Sequence, residues 1–521
     1  MKYLTFFLFT FVFLAFINSG SFGQNFNKTK GTSEHHATVT FKDIVAWDEA
    51  NPAPGPKMKT PNKEVFIYPE FPIEGKKVLY RDETKLFGQK PVQTTLKEQS
   101  PLPTKDFLAL PDNNNSIPPD VNGAAGPNHL MVTLNTEIRI SDKEGNPIYT
   151  VTTGSFWHPM PGSGGVFDPK VIFDPYDQRW ILLMPSSSDP AYSRLMVAVS
   201  ENDDPTGTWF MYTFDTDPTN QVWFDYPNFG FNKNWIVVTG NMFGNGFYST
   251  VFVLDKADLY SNSLVVDYSR FEVYDGFTLV PAKTYNTEEE DIYMVNNAGG
   301  NISGKGYLHL WRVTGGYGNE EVEDMGLIEI ADNWGNGSYA NGGNFAPQLG
   351  TDQKINTVDA RMENMIYRNG KLWTVHHVYL PADNPNRCSV QWFELALDGT
   401  ILQRGRVDDE EGNRCYAFTS IAVNAKEDVM IGYGSFSPEQ YASCSYSFRY
   451  AGDPLNTLRD SYQYKDGLAP YWKTFGGDRN RWGDYTGTVV DPVDDLDFWT
   501  LQEYADLARI AGSVVNLMGS Y

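Results

Sequence analysis

Seven times along this chain a short segment that starts at Asp120, Asp168, Asp225, Lys283, Asp359, Thr419 or Asp484 runs into a β-type apolar stretch. Phe167-Asp168-Pro169-Lys170 leads to Trp180-Ile181-Leu182-Leu183, Phe224-Asp225-Tyr226-Pro227 to Trp235-Ile236-Val237-Val238, and Gly483-Asp484-Tyr485 to Phe498-Trp499-Thr500. The starts recur about every 50 to 80 residues, which suits one four-stranded unit with its loops and makes radial repetition the economical explanation. The turns agree with it. Phe173-Asp174-Pro175-Tyr176-Asp177 and Asp491-Pro492-Val493-Asp494-Asp495 put Pro and Asp where a turn needs a preset φ and a side-chain acceptor, and Arg368-Asn369-Gly370 supplies the left-handed positions of a tight hairpin. The expected fold is therefore all-β, a seven-bladed β-propeller with an irregular N-terminal extension. Two unrelated β-sandwiches would leave the recurrence without a cause.

The ends of the chain read differently. Residues 1–23 have the layout of a secretory signal peptide: Lys2 at the front, an apolar stretch from Leu4 to Ile17 broken only by two Thr, then Ser21 and Gly23. That stretch is too short for a membrane anchor and no second apolar span follows, so the expected location is secreted or periplasmic. Residues 24–111, with the tract Asn51-Pro52-Ala53-Pro54-Gly55-Pro56, read as an extended segment that wraps the propeller, and residues 112–521 as the propeller itself. The interval from Asn296 to Thr357 reads as outer strands plus a long loop carrying Gly315-Gly316-Tyr317-Gly318 and Gly335-Asn336-Gly337. The tail from Ala505 either forms a short helix or completes the ring by pairing with an N-terminal strand.

With only Cys388, Cys415 and Cys444, 27 and 29 residues apart, the fold does not rest on a disulfide framework, and the spacing lacks the CxxC pairs of a zinc site. One local bridge and three buried thiols are both open. A formal net charge of -24 argues against nucleic acid or an anionic membrane surface as partner, because both reward clustered Lys and Arg. The expected state is a monomer.

Three sequence blocks carry a resemblance. Pro118-Pro119-Asp120-Val121-Asn122-Gly123-Ala124-Ala125-Gly126-Pro127-Asn128-His129, then Asp203-Asp204-Pro205-Thr206-Gly207-Thr208-Trp209, then Arg481-Trp482-Gly483-Asp484-Tyr485 with Asp491 to Asp495 and Phe498-Trp499, resemble a family of large exported, mostly uncharacterised bacterial β-propeller proteins. The resemblance runs from about Asp112 to Tyr504 and implies an extracytoplasmic propeller, with no established catalytic residues to carry over. At fold level the chain is also similar to sialidase-like and other glycan-processing propellers. It lacks the Ser-x-Asp-x-Gly-x-x-Trp turn repeats of sialidases, which puts sialidase chemistry in doubt.

Inner strands of a propeller deliver their first residues to one mouth of the central channel, so Asp120, Asn122, Asp168, Lys170, Asp225, Lys283, Asp359, Arg361, Arg481 and Asp484 are expected to converge there. Carboxylates and cations gathered in a low-dielectric funnel shift one another's pKa, and general acid/base chemistry uses such shifts. Equally, such residues can bond neighbouring blades. Two of the Asp residues across the funnel could serve a glycosidase. A second scheme uses His376 or His377, whose adjacency on a strand sends them to opposite faces, with Arg361 neutralising a uronate carboxylate and Tyr485 or a His moving the C5 proton in lyase or dehydratase chemistry. Period-two alternation aligns Asp359 with Arg361 and predicts that one of the two His joins them. Trp157, in Phe156-Trp157-His158-Pro159 ahead of a Gly-rich loop, reads either as a sugar-stacking rim or as core, with His129 and His158 as further options.

No cofactor is expected. Asp494-Asp495-Leu496-Asp497 and Glu288-Glu289-Glu290-Asp291 could offer oxygen ligands to Ca²⁺ but read better as solvated turns. Phosphate-loop, dinucleotide and Gly-x-Ser-x-Gly signatures are missing. The functional expectation is an exported carbohydrate-active enzyme, glycoside hydrolase or polysaccharide lyase, acting on an extracellular polysaccharide or its oligosaccharides in the funnel. The alternative is a non-catalytic glycan- or protein-binding propeller.

Overall fold

The computed structural model describes residues 26–52, 67–88, 98–338, 343–474 and 477–507, together with the backbone of 513–520. The expected signal segment, residues 1–23, lies outside the described residues, as does the Pro-rich tract beyond Pro52. Among the described residues the chain is a succession of four-stranded antiparallel meanders. The first runs through Asn122–Ala125, His129–Thr133, Glu137–Asp142 and Pro147–Thr152. The second has Lys170–Asp174 as its first strand, the third Val222–Phe231, the fourth Val280–Thr284, the fifth Asn364–Arg368 and the sixth Cys415–Val423. The last joins Gly487–Val490, Phe498–Asp506 and Ser513–Ser520 to Lys105–Pro111, a strand from the other end of the chain. First strands lie side by side around a central channel, with parallel bridges from Phe231 to Lys283 and from Ala282 to Met365. This is β-propeller architecture.

The local sequence explains the meanders. Strands such as Trp235–Gly244 and Lys371–Leu380 are runs of β-branched and aromatic residues, nearly all buried, as sheets covered on both faces require. Asn369 (φ 51°) and Gly370 (φ 77°) form the tight turn between the first two strands of the fifth sheet. The core lies between neighbouring sheets: Trp373 and Trp392 stack at 6.2 Å in a cluster that also takes in Ile421, Ile431 and Tyr433 of the sixth sheet. Among the N-terminal residues, His35–Thr40 and Asn27–Thr32 add antiparallel fifth strands to the second and third sheets, and Val78–Arg81 adds a parallel one to the fourth. Each covers a row of edge N–H and C=O groups.

Candidate functional site

A repeated backbone kink builds the mouth at the strand starts. Asp120 (φ 53°), Asp168 (φ 50°), Tyr226 (φ 53°), Thr278 (φ 52°) and Phe418 (φ 58°) are left-handed. Each stands two positions before a channel-facing residue of its first strand: Asn122, Lys170, Asn228, Val280 and Ser420. Asp tolerates this region through local hydrogen bonding, whereas Tyr, Thr and Phe hold it at a cost of roughly 1–3 kcal/mol each, which the surrounding sheets must overcome. In the third and sixth sheets the kink coincides with a register shift, between Asp225 and Asn228 and between Ala417 and Ser420.

The kinks turn a set of acids and bases toward one another. Asp120 accepts from Asn135 Nδ2 at 2.6 Å and from the Asp484 backbone N–H at 2.9 Å, and Asp168 accepts from the Tyr485 hydroxyl at 2.9 Å. Asn135 also donates to the Pro118 carbonyl and accepts from the Asp168 N–H, so one amide fixes two sheets. Arg481 donates to Asp484 at 2.6 Å. Arg361 grips Asp359 with two bonds, of 2.7 and 2.6 Å, and its guanidinium carbon lies 4.2 Å from the Tyr226 ring centre. Tyr226 meets the Tyr485 ring at 4.6 Å with the planes tilted by 41°, and donates to Glu363 and to the Asp484 carbonyl. Lys170 Nζ sits 3.3 Å from the Tyr485 ring centre.

Burial and mutual repulsion then split the acids by protonation. Burial first, and the Asp484 charge next, push Asp120 well above the ordinary carboxylate range; the same two causes raise Asp168. Burial, then Asp168 and Asp484, push Asp225 well up. Asp484 goes the other way: burial would raise it, but the Arg481 and Arg361 guanidiniums hold it below its ordinary value. Burial brings the Lys170 ammonium down to about 7 and lifts the Tyr485 phenol well above its usual range. Asp225 and Asp484 are half-buried, Asp484 with its Oδ1 shielded from solvent, whereas Asp120, Asp168, Lys170, Arg361, Arg481 and Tyr485 are buried.

The remaining candidates lie elsewhere. Lys283 is near the end of its strand, toward the far mouth of the channel. Asn122 spends its amide on the Val171 N–H and the Thr486 carbonyl, clasping the first sheet to its two neighbours. The two His diverge as strand alternation requires. His376 bonds the Ala360 carbonyl and Gln391 beside Trp334, and burial takes its imidazole down to about 3. His377 bonds the Thr357 carbonyl, with its Nδ1 3.5 Å from Glu363, so it is the one that borders the Arg361 and Tyr226 group. Trp157 has no exposed surface and packs edge-on against Phe156, in the core and off any rim. His129 is half-buried at the head of its strand, and His158 stacks on Trp47 at 4.4 Å.

Sequence reasoning missed Tyr226, Glu363, Asn135 and Glu503, the last a carboxyl that burial and then Asp120 raise well above its ordinary value. It also missed a row of aromatics beside Asp225. Phe167, Trp223, Phe243, Phe247 and Phe277 follow one another with ring centres 5.5–6.3 Å apart, and all but Phe277 are partly exposed. No sequence period links them, because they come from three strands and two loops.

Among the described residues no group of three His, Cys, Asp or Glu is placed to hold a metal ion. Asp495 forms a paired contact with Arg368, and Asp494 accepts from the Leu496 and Asp497 N–H groups in a turn. The three Cys are free and buried, with the Cys388 N–H 3.4 Å from Cys415 Sγ. No helix among the described residues is long and apolar enough to cross a membrane.

No family model matches the chain, and no curated protein matches it by sequence. Among solved structures it is similar to the polysaccharide lyase Uly1, at 10% identity and a TM-score of 0.41 over 83% of this chain and 94% of that one. It is also similar to an α-L-arabinanase from Penicillium chrysogenum, at 10% identity and a TM-score of 0.36 over 80% and 99%. The β-propeller domain of the Trilobed protease from Pyrococcus furiosus aligns at 8% identity and a TM-score of 0.32 over 67% and 99%. Likenesses this loose reach no further than the fold, and the chemistry rests on the site itself.

Proposed function

We propose that this chain is a seven-bladed, monomeric propeller that hydrolyses glycosidic bonds of an extracellular polysaccharide at the strand-start mouth, with Asp225 as general acid and Asp484 as its ionised partner. The observation that carries the reading is the opposite bias on the two half-buried carboxyls, Asp225 pushed up and Asp484 held down. Two carboxyls driven apart in this way divide into a proton donor and an anion. Asp225 would protonate the glycosidic oxygen as its bond to the anomeric carbon breaks, and the Asp484 carboxylate would stabilise the developing cation or activate the water that replaces the leaving group. The half-exposed Trp223, two residues from Asp225, offers an aromatic surface against which a sugar ring can pack.

The blade count is supported by a single layer. Asn122, Lys170, Asn228, Val280, Asn364, Ser420 and Gly487, one from each successive first strand, line one channel cavity. Hydrolysis is favoured over elimination because Tyr485 is committed to Asp168 and its raised pKa keeps it a phenol, which makes it a poor base at C5. Export with loss of about 23 residues belongs to the proposal, and N-terminal sequencing of protein from the culture medium tests it.

Purified protein assayed against a panel of polysaccharides should release reducing ends without absorbance from unsaturated uronates. Asp225→Asn and Asp484→Asn should each abolish release. Unsaturated products would reverse the choice of chemistry, and saturable binding across the panel without turnover would assign the mouth to glycan binding.

A further inference from the structure

We infer that the far mouth of the channel, where the first strands end, is a separate binding site for a small organic monoanion with an apolar body, its carboxylate seated between Lys283 and Lys170. Two connected spaces make the site. A narrow cavity of about 30 Å³ lies along the axis beneath the carboxylate layer, with Lys170, Lys283 and Glu363 in its wall. A cavity of about 280 Å³ opens at the strand ends and shares Lys283, Ile172 and Val489 with the first. Its remaining walls are largely apolar, Phe173, Val490 and the Tyr285 ring among them. The narrow space holds a small charged group and the wider one a single-ring body.

The charges say which sign the ligand carries. Lys170, Lys283 and Arg368 line the two spaces against Glu363 and Asp495, so one cation is left over. Arg368 is neutralised by the paired Asp495 contact, and Glu363 accepts from Tyr226. Lys170 is more than nine-tenths buried; among the described residues it lies over the Tyr485 and Tyr226 ring faces with no hydrogen bond or ion pair, and the charges of Glu363, Asp168 and Asp120 reach it only at a distance. Lys283 likewise has no hydrogen bond or ion pair among the described residues. Burial brings Lys170 down to about 7 and Lys283 to about 8, because each charged amine lacks an acceptor, and a carboxylate reaching both amines would hold them protonated. The Tyr176 hydroxyl at the rim is already spent on the Thr284 carbonyl, so the outer part of the site recognises shape rather than hydrogen-bonding groups.

The site shares Lys170 with the carboxylate mouth but uses neither Asp225 nor Asp484, and the test separates the two. Isothermal titration of the full-length mature protein with benzoate should show one saturable site, with benzyl alcohol and acetate each at least tenfold weaker because one lacks the charge and the other the ring. Lys283→Met and Lys170→Met should each weaken benzoate at least tenfold while melting no lower than the unaltered protein, since one removes a half-buried amine and the other a buried one and both keep an apolar stem. Asp225→Asn should bind benzoate unchanged. Equal affinity for benzyl alcohol, equal affinity for acetate, or benzoate binding untouched in Lys283→Met would each overturn the assignment.

Discussion

At the scale of single residues, the Asp359 and Arg361 pair shows what strand periodicity can and cannot tell. The two do meet, through bonds of 2.7 and 2.6 Å, but not by strand alternation: both lie ahead of the strand Asn364–Arg368, and Asp359 also accepts from the Arg361 backbone N–H at 3.1 Å, so a local turn joins them. What alternation cannot supply is how thoroughly the two neutralise each other, because that depends on Tyr226 and Phe277 arriving from other sheets to cover the guanidinium at 4.2 and 5.1 Å. Arg361→Ala should therefore leave Asp359 buried without its partner, at a cost of roughly 3–5 kcal/mol, and appear as a lowered melting temperature. The double change Arg361→Met with Asp359→Leu should recover most of that loss; a double variant as unstable as the single one would show that the pair does more than balance charge. For Asp225 and Asp484 the expected readout is the pH profile of hydrolysis. Activity should fall toward alkaline pH as Asp225 loses its proton, from a pKa raised above the ordinary range, and toward acid as Asp484 gains one, from a pKa held below it. Asp225→Asn should cost on the order of 10²–10⁴-fold in kcat, and a variant that keeps both rate and alkaline limb would remove Asp225 from the acid's role.

At the scale of elements, the first strands were legible but three of the seven expected starts, Asp225, Lys283 and Thr419, fall inside their strands rather than ahead of them. Asp120, Asp168 and Asp484 each precede a first strand by two or three residues, because an Asp followed by a small or β-branched run leaves a local signal. Lys283 does not open its strand: Val280 does, after a kink at Thr278, and nothing in Phe277-Thr278-Leu279-Val280 marks the left-handed position. The tail's choice was equally hidden. Ser513–Ser520 pairs with Lys105–Pro111, a partner some four hundred residues away, and no local pattern encodes such a pairing. That strand closes the last sheet, so a chain starting at residue 112 should leave the edge of Ser513–Ser520 bare and should aggregate. A chain starting at residue 98 keeps Lys105–Pro111 and gives up the three outer strands before it, while every sheet stays four-stranded. It should elute as a folded monomer with a lower melting temperature. Equal behaviour of the two truncations in size exclusion and thermal melts would deny the closing role of Lys105–Pro111.

At the scale of the whole molecule, stability against acid gathers buried groups that pull in opposite directions. Asp120, Asp168, Asp225 and Glu503 all have folded pKa values above their unfolded ones, so in the folded state they take up protons sooner and resist acid unfolding. His376 works against them. Its folded pKa is about 3 against an unfolded value near 6.5, because burial beside Trp334 and Phe393 excludes the charged ring. Between those two values the unfolded chain binds a proton that the folded one cannot, so stability falls as pH drops, by up to about 1.4 kcal/mol per pH unit from this one group. His376→Gln removes the titrating ring. Denaturant unfolding from pH 7 down to pH 4 should therefore show a flatter acid limb for the variant than for the parent, even though losing the bond to the Ala360 carbonyl lowers its stability at pH 7. Parallel acid limbs in the two proteins would mean that His376 does not set the acid response and that the carboxyls of the channel mouth govern it.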